Sequence, residues 1–116
     1  MKVTVLGAGA YGLALAYRFN KNNNEVVVWS KVKSEIDELN KTKKNKNALG
    51  NFTMPSNISY TTNTKKAIEG SKLIVLAVAT KYLKSVCEEI KPFIKGKHIM
   101  IASKGIDKDT YLFASN

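Results

Sequence analysis

"GAGAYGLALA", residues 7–16, decides how the rest of the chain is read. Its glycines fall at Gly7, Gly9 and Gly12, a G-x-G-x-x-G spacing. Alone, that spacing is weak evidence; it gains meaning when a strand precedes it and a helix follows. Just before it, "KVTVL" (2–6) is a short β-branched apolar run ending at a glycine, the pattern of a buried strand. Just after it, Ala10, Leu13, Ala14, Ala16 and Tyr17 can share one broad apolar face, with Arg18, Asn20 and Lys21 outside, which predicts a helix over 10–20. "EVVVWS" (25–30) is a second buried strand, about 20 residues on. In that setting Gly7 allows the tight turn out of the strand. Gly9 leaves no Cβ between backbone and a pyrophosphate, and Gly12 lets the helix pack close to the sheet. The N–H groups of residues 10–12, at the positive end of the helix dipole, are expected to meet the phosphates.

The same alternation continues outward. "KSEIDELNKTKK" (33–44) predicts a polar helix with Ile36 and Leu39 as its apolar seam, and 45–57 reads as a long irregular connection. "ISYT" (58–61) predicts a short edge strand. "NTKKAIEG" (63–70) predicts a short helix capped by Asn63 or Thr64. "KLIVLAVA" (72–79), the most hydrophobic run, is expected at the centre of a sheet. "KYLKSVCEEIKPFI" (81–94) carries Leu83, Val86, Cys87 and Ile90 at helical spacing until Pro92, and "HIMIA" (98–102) is a further strand. Strands that read as continuous apolar runs are covered on both faces. Alternating with helices, they predict one α/β domain, a doubly wound parallel sheet of Rossmann type ordered 3-2-1-4-5, spanning 1–116, with a crevice between strands 1 and 4.

Composition narrows the classes. The 116 residues suit one domain, and no window approaches the ~18 unbroken apolar residues of a membrane span. The single cysteine, Cys87, allows no internal disulfide, and a cytoplasmic protein is expected. The net charge of +10 comes almost wholly from lysine, Arg18 being the only arginine. The lysines are scattered through every segment without interleaved aromatics, so they argue against a nucleic-acid partner. Cys87 sits on an apolar stripe and reads as a core thiol, and His98 begins a strand with no partner in view. No Cys, His, Asp or Glu cluster has metal spacing.

Cofactor type is often set at the end of the second strand, where an acid favours NAD by bonding the ribose 2′-hydroxyl. Here the chain reads "VVVWSKVKSE": Ser30 and Lys31 stand where an acid would, and the first carboxylate is Glu35. With Lys31, Lys33 and the Ser30 hydroxyl available to a 2′-phosphate, NADP is expected to bind at least as tightly as NAD.

The chain resembles the N-terminal cofactor-binding domain of bacterial NAD(P)-dependent glycerol-3-phosphate dehydrogenase. "GAGAYGLALA" is similar to that family's G-A-G-x-W-G-x-A-L-A, and "VVVWSK" to its second strand. "NALGNFTMPSNISYTTNTKKAIEGSKLIVLAVAT" resembles its middle segment, and "IASKGID" its T-K-G-[IL]-[ED] signature. Departures are Tyr11 where Trp is usual, Ala79 and Thr80 for Pro and Ser, and "ALG" (48–50) for the L-P pair. The resemblance implies an oxidoreductase that interconverts dihydroxyacetone phosphate and sn-glycerol 3-phosphate by hydride transfer, for glycerophospholipid precursor synthesis. It implies cofactor contacts at Gly7, Gly9, Ala10, Tyr11, Gly12, Ser30, Lys31 and Tyr82, and contact with both substrate and cofactor at Lys104, the catalytic candidate. Lys104 lies just past a buried strand's carboxyl end, where an ammonium could stabilise charge growing on a carbonyl oxygen. The family's principal catalytic lysine and phosphate-binding residues belong to an all-helical second domain. This chain ends at Asn116, so it is expected to be a fragment, inactive alone; a homodimer is compatible with it. The alternatives are the cofactor domain of another dehydrogenase such as a ketopantoate reductase, which the "SKGID" match argues against, and a non-catalytic dinucleotide-sensing module.

Overall fold

The computed structural model describes residues 1–46, 50–78, 80–102 and 112–115. Its strands are β1 (Lys2–Leu6), β2 (Glu25–Trp29), β3 (Ser59–Thr61), β4 (Leu73–Leu76), β5 (His98–Ile101) and β6 (Leu112–Ser115). Its helices are α1 (Ala10–Lys21), α2 (Lys33–Thr42), α3 (Thr64–Ile68) and α4 (Thr80–Ile90), the last followed by a 3-10 turn at Lys91–Phe93 that contains Pro92.

The sheet is ordered β3-β2-β1-β4-β5-β6. The first five strands run parallel, with Val5 paired to Val28 on one side and to Val75 on the other. That is the expected order. The addition is β6, which pairs antiparallel with β5 (Ile101 opposite Leu112) and closes that edge.

The central strands β1, β2 and β4 divide their side chains between two cores, as the two-residue period of a pleated strand requires. Val3, Val5, Val26, Val28 and Val75 pack with Leu13, Ala16, Ile36 and Leu39 of α1 and α2. Leu6, Trp29, Ile74, Leu76 and Ile99 pack on the opposite face with Ala67, Ile68, Val86 and Ile90 of α3 and α4. Both faces being covered explains why the strands are valine-rich throughout rather than alternately polar. Full burial of each such side chain contributes about 1.5–3 kcal/mol. Thr4 is the polar exception at the centre. Its hydroxyl donates to the Ala67 carbonyl (2.5 Å) and pairs with the Ser71 hydroxyl, so no hydrogen-bonding capacity is stranded there.

Helix ends follow local chemistry. Asn63 caps α3 by accepting from the Lys66 amide at 2.8 Å, which decides between the two capping candidates. The α1 face differs in one detail: Ala14 is exposed, and Leu15 is the half-buried neighbour that packs on the core. After α2, Met54 is buried and its amide donates to the Lys43 carbonyl at 2.7 Å.

Tyr60, on edge strand β3, is 6% exposed. Its hydroxyl has no hydrogen-bond partner among the described residues, and the Lys43 ammonium lies 5.6 Å from the ring centroid. Burial pushes the phenol from its ordinary value of 10.0 up to about 12. The folded state therefore holds this proton more tightly than the unfolded chain. Stability is fully present below about pH 10 and falls as pH rises toward 12, by about 2–3 kcal/mol. Tyr60→Phe is expected to remove this alkaline loss and to raise stability by about 1 kcal/mol at neutral pH, because it deletes a buried donor without a partner. Denaturant midpoints of both proteins near neutrality and near the upper end of that range test this. Parallel pH profiles would contradict it.

Candidate functional site

The carboxyl ends of β1, β2 and β4 open into a crevice of about 400 Å³ at the point where the chain's connections switch from one face of the sheet to the other. The turn Gly7–Gly9 forms its floor. Trp29–Val32 at the end of β2 and Ala77–Val78 after β4 form two walls, and Tyr82 and Val86 of α4 face in from the side.

The three glycines do different work. The Gly7 amide donates to the Trp29 carbonyl (2.7 Å), and the Ala77 amide donates to the Leu6 carbonyl (2.9 Å), so the turn is clamped between β2 and β4. Gly7 has φ +131°, a conformation that side chains rarely adopt, and a Cβ there would fall 2.6 Å from the Ala77 carbonyl oxygen. A Cβ on Gly12 would fall 2.2 Å from the Gly7 carbonyl oxygen, so Gly12 lets α1 seat on the turn. Gly9 is unlike both. Its φ −77° and ψ −176° are ordinary extended backbone, and a Cβ built on it meets nothing within 4 Å. Neither conformation nor protein packing asks for glycine there. Gly9 is also the N-cap of α1 and supplies no side-chain cap, and the positive end of the helix dipole lies there.

Beside the turn lies a polar cluster. Ser30, buried one residue past β2, accepts from the Val32 amide (3.1 Å) and donates to Glu35 Oε1 (3.2 Å). Asn45 is 1% exposed, and its Nδ2 donates both to Glu35 Oε2 (3.1 Å) and to the Ala8 carbonyl (2.8 Å). Its Oδ1 is buried without a partner among the described residues. Hydrogen bonds to a charged group are worth about 1.5–3 kcal/mol each, so the Glu35 carboxylate is held firmly where it lines the crevice. Lys31 crosses to α4 and pairs with Glu89 at 3.3 Å, and Glu89 also accepts from Thr64 Oγ1 at 2.6 Å. That pair is half exposed and contributes about 0–1 kcal/mol.

Of the sequence candidates, Gly7, Gly9, Ser30, Lys31 and Tyr82 line one crevice, Tyr82 being 53% exposed under the Lys81 ammonium. Ala10 opens α1, Gly12 is buried against Gly7, and the Tyr11 ring packs against the core on the α1 face. Lys104 lies outside the described residues, as does Ala79. Sequence reasoning missed Glu35 and Asn45. Glu35 was seen only as the first acid after β2; α2 begins so soon after the strand that its first turn brings this side chain back to Ser30. An acid in a first turn is the one available signal, and it reads equally well as helix-dipole chemistry. Burial raises the Cys87 thiol above its ordinary value. Among the described residues no His, Cys, Asp or Glu side chains gather as a metal-holding group, and no helix is long and apolar enough to cross a membrane.

A parallel sheet of this order, with a glycine turn at its switch point, defines a Rossmann-type domain. The family model described as NAD-dependent glycerol-3-phosphate dehydrogenase N-terminus matches residues 2–116, and the chain belongs to that family. It is 37% identical over 111 residues to glycerol-3-phosphate dehydrogenase [NAD(P)+] of Fusobacterium nucleatum, covering 95% of this chain and 33% of the relative. It is 39% identical over 112 residues to the Bacillus subtilis protein of that description, covering 96% and 32%. Among solved structures it is similar to glycerol-3-phosphate dehydrogenase from Coxiella burnetii, with a TM-score of 0.84 and 28% identity over 93% of this chain and 34% of that one. The chain thus spans about a third of the length of these relatives.

Proposed function

We propose that this chain is the dinucleotide-binding domain of an enzyme that interconverts dihydroxyacetone phosphate and sn-glycerol 3-phosphate with NAD(H) or NADP(H). The observation that carries the binding reading is Gly9, a glycine with open space where its side chain would be, at the uncapped start of α1. The substrates rest on the family and on the names of the relatives.

The Gly7–Gly9 turn and the first-turn amides of α1, from Ala10 to Gly12, hold the pyrophosphate. Ser30, Lys31 and Glu35 form the end of the crevice nearest the adenosine ribose. Tyr82 and Val86 wall the α4 side. The bound nicotinamide supplies the hydride chemistry, and the protein supplies orientation and electrostatics. Lys104, in the K-G pair beyond β5, is proposed to meet substrate and cofactor together, its ammonium stabilising negative charge on the substrate oxygen.

Calorimetric titration of NADH into the purified chain tests the binding reading. A saturable one-to-one isotherm is expected, and no heat at millimolar dinucleotide would overturn it. With dihydroxyacetone phosphate added, the 116-residue chain is expected to leave the reduced-nicotinamide absorbance unchanged, because one lysine cannot fix a substrate for hydride transfer. Steady oxidation of NADH by this chain would show that it already contains the whole catalytic constellation.

A further inference from the structure

We propose that Glu35 selects the cofactor: its carboxylate accepts the adenosine-ribose 2′-hydroxyl and repels a 2′-phosphate, so the chain prefers NAD(H) to NADP(H). This rests on the dinucleotide reading above and reverses the preference drawn from the sequence, where Glu35 stands five positions beyond Ser30 and looks remote.

Position is the first argument. Glu35 lines the same crevice as Gly9 and Ser30, at the carboxyl end of β2, the place where open α/β sheets read the ribose. The second is rigidity. Ser30 Oγ holds one carboxylate oxygen and Asn45 Nδ2 the other, and Asn45 is tied by the same nitrogen to the Ala8 carbonyl inside the glycine turn. The acid is therefore registered against the phosphate turn itself, with Asn45 as its positioning residue. Valence is the third. An ionised carboxylate offers about four acceptor sites and no donor; with two of them used, capacity remains for a hydroxyl donor. A 2′-phosphate brings only acceptors and more negative charge to that point.

The lysines do not offset this. Lys31 is paired with Glu89 of α4, and Lys33, largely exposed, is paired with Asp37 one turn along α2. Among the described residues Lys31 and Lys33 each face a carboxylate, whereas the hydrogen bonds to Glu35 come from the neutral donors Ser30 and Asn45.

Parallel calorimetric titrations of NADH and NADPH into the wild-type chain and Glu35→Gln test the proposal, with thermal melting of both proteins as a check on folding. The wild type is expected to bind NADH at least tenfold more tightly than NADPH. Glu35→Gln, which keeps the shape and removes the charge, is expected to shrink that ratio to threefold or less, chiefly by tightening NADPH. Equal or tighter binding of NADPH by the wild type would overturn the role of Glu35 while leaving the dinucleotide site intact, and so would an unchanged ratio in a folded Glu35→Gln. Should Glu35→Gln fail to fold, the wild-type ratio alone decides. Failure of both dinucleotides to bind the wild type would bring down the binding reading, and this inference with it.

Discussion

Gly12→Ala is expected to destabilise the fold by about 3–5 kcal/mol, a large share of the 5–15 kcal/mol that holds a domain together. The added Cβ would fall 2.2 Å from the Gly7 carbonyl oxygen and 3.0 Å from its carbon. Those atoms are backbone, clamped by the Trp29 carbonyl and backed by Ala77, so no side chain can swing away. Either α1 lifts from the sheet, uncovering Leu13 and Ala16, or the turn is distorted. Alanine's better helix propensity returns only about 1 kcal/mol. Gly7→Ala meets the same obstacle from the other side, 2.6 Å from the Ala77 oxygen and at a positive φ, and is expected to be comparably damaging. Urea midpoints give the measure; wild-type stability in either variant would mean that the turn is softer than its packing indicates.

Gly9→Val is expected to do the opposite. Nothing lies within 4 Å of its Cβ, and its backbone angles suit any residue, so the fold should lose only about 1 kcal/mol, the difference between a tolerated and a poor N-cap. Affinity for NADH should fall at least 100-fold, about 2.7 kcal/mol, because a branched side chain then occupies the approach to the helix amides. Calorimetry and thermal melting of the same sample separate the two effects. A folded Gly9→Val that binds NADH as the wild type does would place the phosphates elsewhere. The pair of variants asks one question of two glycines three residues apart: which serves the protein, and which serves its ligand.

What could be read from the chain alone follows the range of the forces involved. The parallel core was legible because "KVTVL", "EVVVW" and "KLIVLA" must be covered on both faces, and the turn was legible because glycine spacing is local. Strand β6 was not. The chain around 112–115 carries only a short apolar run, and it becomes a strand through the free edge of β5, a tertiary circumstance. The polar cluster beside the glycine turn was not legible for the same reason. Ser30, Glu35 and Asn45 lie far enough apart in sequence that only the seating of α2 and the segment after it brings them together. Lysine abundance hides local pairing as well: nothing in the sequence around Lys31 shows that it meets Glu89 of α4 in the fold.

The central pairing of the sheet sets an order of events. β1 has Val3 against Leu73 and Leu6 against Leu76, so the first strand made waits for one made much later. As the chain leaves the ribosome, β1, α1 and β2 can associate early. Until β4 arrives, however, β1 is a bare edge and the glycine turn lacks the wall that Ala77 provides. Closing that long loop is the slow, entropically costly step. The crevice thus exists only once the middle of the sheet has closed, and a nascent chain arrested before β4 would have the glycines without the pocket.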